Sequence, residues 1–149
     1  MKKIDENSDI VLNTSWDCLP FHIDGVLFNL VRLQPYQRSL KQCRKLEPRL
    51  EEEIEHSLRQ DVLKNQFTEI PGTGGWIKGR VASPSRGIGK SGGFRVIYLF
   101  LKVAQYIFLA RVYDHRAVSD ITPDDKNDLK LRALELRRAL KEMEDSDEN

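Results

Sequence analysis

Apolar positions recur along the chain with two different periods, and the switches between them divide it into elements. Val26 to Leu33 (VLFNLVRL) is short, rich in strand formers and stopped by Gln34-Pro35, which predicts a strand. From Tyr36 to Lys45 the pattern turns helical, and Leu46-Glu47-Pro48 breaks it. Pro48 suits the first turn of a second helix running to about Lys64, in which Leu50, Ile54, Leu58 and Val62 form one apolar stripe. Glu51, Glu52, Glu53 and Glu55 sit near its start, where the helix dipole favours acids. The pair reads as a helical hairpin packed on a sheet.

The second half supplies the sheet. Trp76 to Ala82 alternates, with Trp76, Lys78 and Arg80 sharing one face of a strand. Ser83 to Gly93 is loop, dense in glycine and serine. Phe94 to Leu101 and Tyr106 to Tyr113 are the longest apolar strands, joined by the hairpin-sized link Lys102-Val-Ala-Gln105. Their density of Val, Ile, Leu, Phe and Tyr suits central strands partly covered on both faces. Thr122-Pro123-Asp124-Asp125 opens a last helix, along which Leu129, Ala133, Leu136, Leu140 and Met143 keep helical spacing. Residues 1–25 are polar and of mixed charge, with a small apolar group at Trp16, Leu19, Pro20 and Phe21; they read as an arm packing on the domain. The expected division is an arm over 1–25, a domain over 26–141, and an acidic tail over 142–149 that frays.

At 149 residues the chain holds one domain, and its formal net charge of +1 suggests no nucleic-acid partner. The distribution of charge changes that picture. Residues 1–71 carry 10 basic and 12 acidic side chains, residues 72–116 carry 8 and 1, and residues 117–149 carry 6 and 10. The lone acid of the basic stretch is Asp114. Cys18 and Cys43 have no metal-like spacing and read as free thiols of a reducing compartment, the cytoplasm. The N-terminal MKKIDENSDI lacks the apolar core of a signal peptide. Val96 to Ala110 is interrupted by Lys102 and Gln105 and falls short of the ~20 residues of a membrane helix.

Gly87-Ile-Gly89-Lys90-Ser91-Gly92 matches G-x-G-x-x-G, but a strand follows it where a dinucleotide site needs a helix. His22, His56 and His115 lie far apart, with no H-x-x-x-H or C-x-x-C spacing, so no metal site and no cofactor is expected. No G-x-S-x-G elbow is present. The basic residues remain. Lys78 and Arg80 share a strand face, Arg95 begins the next strand, and Arg111, His115 and Arg116 close the last. Paired in sequence order, the strands bring these groups to one end of a sheet. Such a set suits RNA cleavage, in which the 2′-OH attacks the adjacent phosphate and arginines meet the charge that develops. A histidine, or a lysine lowered by basic neighbours, moves the proton.

Pro71-Gly72-Thr73-Gly74-Gly75 before a basic strand, then Gly89-Lys90-Ser91-Gly92-Gly93-Phe94-Arg95-Val96-Ile97-Tyr98, then Val112-Tyr113 and Ser119-Asp120-Ile121-Thr122-Pro123 opening a helix, resembles the RelE/HigB toxins of type II toxin–antitoxin modules. The resemblance spans about Val26 to Leu140. It implies an α+β fold, a small antiparallel β-sheet with an N-terminal helical hairpin on one side and a C-terminal helix. It also implies a metal-independent endoribonuclease cutting mRNA on the ribosome, and inhibition by a cognate antitoxin, often of helix-turn-helix type, through which alone the complex meets DNA. By the resemblance, Arg95 matches the arginine at the scissile phosphate, Lys78 and Arg80 match the preceding basic pair, and His115 stands where the family more usually keeps lysine. These four are the candidate catalytic residues; Arg86, Lys90, Arg111, Arg116 and Tyr113 are the candidate RNA contacts. The C-terminal tyrosine used by some RelE members falls near Ile121. The alternative from another class is a non-nucleolytic member on the same scaffold: a ParE-like gyrase inhibitor, or a degenerate binder of antitoxin or RNA.

Overall fold

The computed structural model describes residues 16–117 and 121–147. In chain order these form β1 (Asp17–Ile23), β2 (Val26–Arg32), α1 (Gln34–Cys43), α2 (Leu50–Lys64), β3 (Trp76–Val81), β4 (Phe94–Leu101), β5 (Tyr106–Asp114) and α3 (Pro123–Asp147). The five strands make one open sheet in the order β1-β2-β5-β4-β3. It is an α+β fold, but the sheet is not wholly antiparallel as expected: β2 pairs parallel with β5, from Asn29 opposite Tyr106 to Arg32 opposite Leu109. A parallel pair needs a long crossover, and α1, α2, β3 and β4 all lie between these two strands in the chain.

The arm expected over residues 1–25 ends in a strand. Asp17 to Ile23 pairs antiparallel with β2 across Asp24-Gly25. Both turn residues have positive φ, 49° and 81°, the geometry of a tight primed turn. Trp16 and Phe21 are buried, while Leu19 is exposed. Pro20 is tolerated because β1 is an edge strand, where a missing N–H costs no ladder bond. The opposite edge, β3, is partly covered: the Lys78 amide donates to Thr68 O at 2.9 Å and the Ile70 amide to Trp76 O at 2.8 Å.

Alternation in the central strands builds two cores. Val96, Tyr98, Ile107, Leu109 and Val112 face Tyr36, Leu40, Ile54 and Leu58 of α1 and α2. Ile97, Leu99, Phe108, Ala110 and Tyr113 face Ala133 and Leu136 of α3. The apolar stripe at positions 50, 54 and 58 is buried as its spacing predicts. A bulge interrupts the β4–β5 ladder: Tyr98 sits opposite Leu109 but Ile97 opposite Arg111, leaving Ala110 as the extra residue. The bulge exchanges the faces beyond it. Val112 rather than Arg111 enters the α1/α2 core, and Arg111 is turned to the α3 side.

The second helix begins at Leu50, past Pro48, and ends at Asn65 in the left-handed conformation (φ 51°). The α3 start is as expected: the Asp125 amide donates to Thr122 Oγ1 and the Thr122 amide to Asp125 Oδ2, both at 3.1 Å. The helix continues to Asp147, through most of the segment expected to fray. Ser119 and Asp120 lie outside the described residues. Among the described residues, no helix is long and apolar enough to cross a membrane.

Candidate functional site

The α3-facing side of the sheet changes character along its strands. Trp76, Leu99 and Phe108 are cross-strand neighbours under α3, and the Trp76 indole donates to Leu129 O at 2.6 Å. One step on, Lys78, Ile97 and Arg111 are aligned. A further step on, Arg80, Arg95 and Tyr113 are aligned across β3, β4 and β5. Side chains two apart on a strand share a face. Lys78, Arg80, Arg95, Arg111 and Tyr113 therefore lie on one side of the sheet, as a basic and aromatic patch continuous with the apolar floor of α3.

The members of this patch differ in exposure. Arg80 is exposed, Lys78 and Arg111 are half-buried, and Tyr113 is buried. The Arg111 guanidinium lies 5.1 Å from the Tyr113 ring centre and 3.8 Å from Asp125 Oδ2. Arg95 is only 7% exposed. Its Nη1 donates to Lys90 O at 3.1 Å and Phe94 O at 3.2 Å, and its Nη2 to Ser91 O at 2.8 Å. Among the described residues it forms no ion pair with a carboxylate. Burial pushes its pKa down, the Arg80 charge adds to that, and only Tyr113 opposes it. A guanidinium remains charged under such a shift. The row thus carries positive charge that the fold leaves without a countercharge at Arg95.

The loop leading into β4 is tied down from several sides. Glu47 is 1% exposed and accepts from Ser83 Oγ (3.0 Å), Ser85 Oγ (2.6 Å), the Ser85 amide (2.9 Å) and the Arg49 amide (3.4 Å). Burial by itself raises its pKa, but these donors, Ser85 foremost, hold it below the usual carboxylate range. Gly93 permits a close approach: a Cβ there would sit 2.1 Å from Val81 O. Arg95 completes the clamp through the carbonyls of Lys90 and Ser91.

Other expected site residues lie elsewhere. Arg86 is committed to structure: it donates to Asp114 at 3.1 and 3.4 Å and to Ser83 Oγ at 2.8 Å, and stacks 4.7 Å from the Phe94 ring centre. Phe94 belongs to the α1/α2 core, so Arg86 is on the far side of the sheet from the Arg80 row. Lys90 is exposed, and its charge, with that of Lys64, works against the burial that raises the pKa of Asp61 on α2. His115 and Arg116 are exposed in the turn after β5. The His115 amide donates to Gly93 O at 3.0 Å, so its backbone sits two pairs beyond the Arg95–Tyr113 step.

No protein-family model matches the chain. Its chemistry is therefore read from the residues. Among the described residues no group of His, Cys, Asp and Glu is arranged to hold a metal ion. What the arrangement offers is a cationic row, exposed at Arg80 and half-buried at Lys78 and Arg111, suited to an anionic group such as phosphate. Sequence reasoning missed Glu47, whose signal is that it stands as the single acid among Arg38, Lys41, Arg44, Lys45 and Arg49. It also missed the half-buried Asp61, which accepts from Tyr98 Oη at 2.8 Å.

Proposed function

We propose that this chain is an endoribonuclease toxin of RelE/HigB type, metal-independent and acting on ribosome-bound mRNA in the cytoplasm. The observation that carries the reading is the alignment of Arg80, Arg95 and Tyr113 across three adjacent strands, with no carboxylate among the described residues paired to Arg95. In this reading α1 and α2 are the helical hairpin of a RelE-like fold. The cognate antitoxin covers the basic row, and the complex meets DNA only through it.

The chemistry assigned to the row follows from charge. Attack of a 2′-OH on the adjacent phosphorus builds a doubly charged pentacoordinate centre. Arg80, exposed, supplies bidentate donors to its equatorial oxygens. Arg95 has three N–H···O contacts to carbonyls, so it contributes fixed charge and its remaining donors at a position that cannot drift. Lys78 extends the positive field, and the buried Tyr113 backs the Arg111 guanidinium through a cation–π contact. His115 is the assigned proton carrier, imidazole being the side chain most often used for general acid–base transfer.

One observation favours the second reading, a non-nucleolytic binder on the same scaffold. Arg95 is buried and engaged by its own loop, which fits a structural clamp as well as a phosphate contact. The test is induction in cells lacking antitoxin, with 5′-end mapping of mRNA, for the wild type and Arg80→Ala. Cuts within translated frames that vanish in the variant support the nuclease. Growth arrest with intact mRNA and altered gyrase supercoiling sinks it in favour of the binder.

A further inference from the structure

We infer that the α1 side of the molecule is a second anion-binding surface, seating the phosphate backbone of a structured RNA. From Gln34 to Arg49 the chain carries Arg38, Lys41, Arg44, Lys45 and Arg49 against one acid, Glu47, which is buried and spent on Ser83 and Ser85. The five cations are exposed. A groove of about 550 Å³ is lined by Arg32, Lys41, Arg44 and Lys45, with Leu40 and Pro48 as its apolar members. Of the neighbouring acids, Glu53 acts on Arg49 only at a distance and the rest are paired. Glu51 lies 2.6 Å from Arg32 and 3.6 Å from Arg44, Asp17 lies 2.9 Å from Arg32, and Glu52 lies 2.9 Å from Arg49. Among the described residues this leaves Arg38, Lys41 and Lys45 without an ion pair.

The occupant follows from what the groove has and lacks. Protein partners dock on aromatic or aliphatic anchors in a desolvated centre. Here Leu40 is 4% exposed and faces the core, so Pro48 is the apolar contact inside the groove and Leu46 stands exposed beside it, too little for a desolvated centre. What remains is cationic charge on flexible stems, the equipment of sequence-independent phosphate binding. Structured RNA is read by its backbone and shape, and a convex helix bearing cations fits that use. The surface is separate from the Arg80 row. α1 packs on the face carrying Val96 and Leu109, and the row lies on the face carrying Ile97 and Leu99. The inference goes beyond the proposed function and does not depend on any cleavage.

The test is fluorescence anisotropy of the full chain with a labelled RNA duplex of about 16 base pairs, between about 50 and 200 mM salt. The variant is Arg38→Gln/Lys41→Gln/Lys45→Gln, which breaks no ion pair of the fold. The expected result is an affinity loss of at least ~10-fold and a salt-dependence slope shallower by about two to three, with an unchanged melting temperature. Wild-type affinity and slope in the triple variant would overturn the inference. So would loss of duplex binding in Arg80→Gln with none in the triple variant, or a triple variant that loses an acidic peptide and keeps the duplex.

Discussion

Replacing Gly93 by alanine tests how the loop is seated against the sheet. The new Cβ would lie 2.1 Å from Val81 O, 3.1 Å from Val81 C and 3.2 Å from Ala82 Cα. All three are backbone atoms at the end of β3, so no side-chain rotamer relieves the contact. Reaching ordinary contact at 3.4 Å requires the strand end and the loop to part by more than 1 Å. Val81 pairs with Phe94, and the next pair is Arg80 with Arg95, so the separation acts beside the basic row. Overpacking of this kind costs about 1–3 kcal/mol. For a domain of this size, 2 kcal/mol lowers Tm by about 4–8 °C. Thermal unfolding followed by circular dichroism reads this directly. Gly89→Ala is the control, because nothing lies within 4 Å of its Cβ and its φ is not in the left-handed region. A Gly93→Ala protein melting within ~1 °C of the control would refute the reasoning, since the close approach would then cost nothing.

Glu47→Ala leaves Ser83 Oγ and the Ser85 amide without their acceptor and should cost about 1–3 kcal/mol, measured by urea denaturation. Because the folded pKa of Glu47 is depressed, its contribution is complete above the ordinary glutamate range near ~4.3 and is lost as pH falls through the depressed value. The gap between wild type and Glu47→Gln should therefore close in acid. Asp61 has the opposite sign: burial raises its pKa, so the folded state holds the proton more tightly and stability falls as pH rises through the carboxylate range. Asp61→Asn should be more stable than wild type at neutral pH and equal to it in acid, and equal stability at both pH values would count against this. Trp76→Phe removes the indole bond to Leu129 O and should cost about 1 kcal/mol, with hydrogen exchange accelerated in α3 before the rest of the domain.

Much of the fold was legible one residue at a time. The apolar stripe at Leu50, Ile54 and Leu58, the alternation of Trp76, Lys78 and Arg80, and the Thr122 cap are all local patterns, and each is found where its period places it. The β1 strand was missed although Asp24-Gly25 is the strongest short hairpin signal there is. Pro20 and the mixed charge around it masked a strand that survives because it is an edge. The basic row was expected as a group, with Arg86 as an RNA contact and Arg95 as a catalytic residue. Nothing in their neighbours along the chain signals Asp114 and the Phe94 ring as partners for one, or a carbonyl cage for the other.

Periodicity by itself determined the helices, the central strands and which basic residues share a strand face, because those depend on backbone geometry over a few residues. The parallel pairing of β2 with β5, the Ala110 bulge that turns Arg111 toward α3, and the burial of Glu47 against Ser83 and Ser85 were decided by the tertiary structure alone. The first and the last join segments far apart in the chain, and the bulge depends on how two neighbouring strands pair. Whether a charge is bare or spent depends on what folding brings beside it, and that is a property of the packed molecule rather than of any stretch of its sequence.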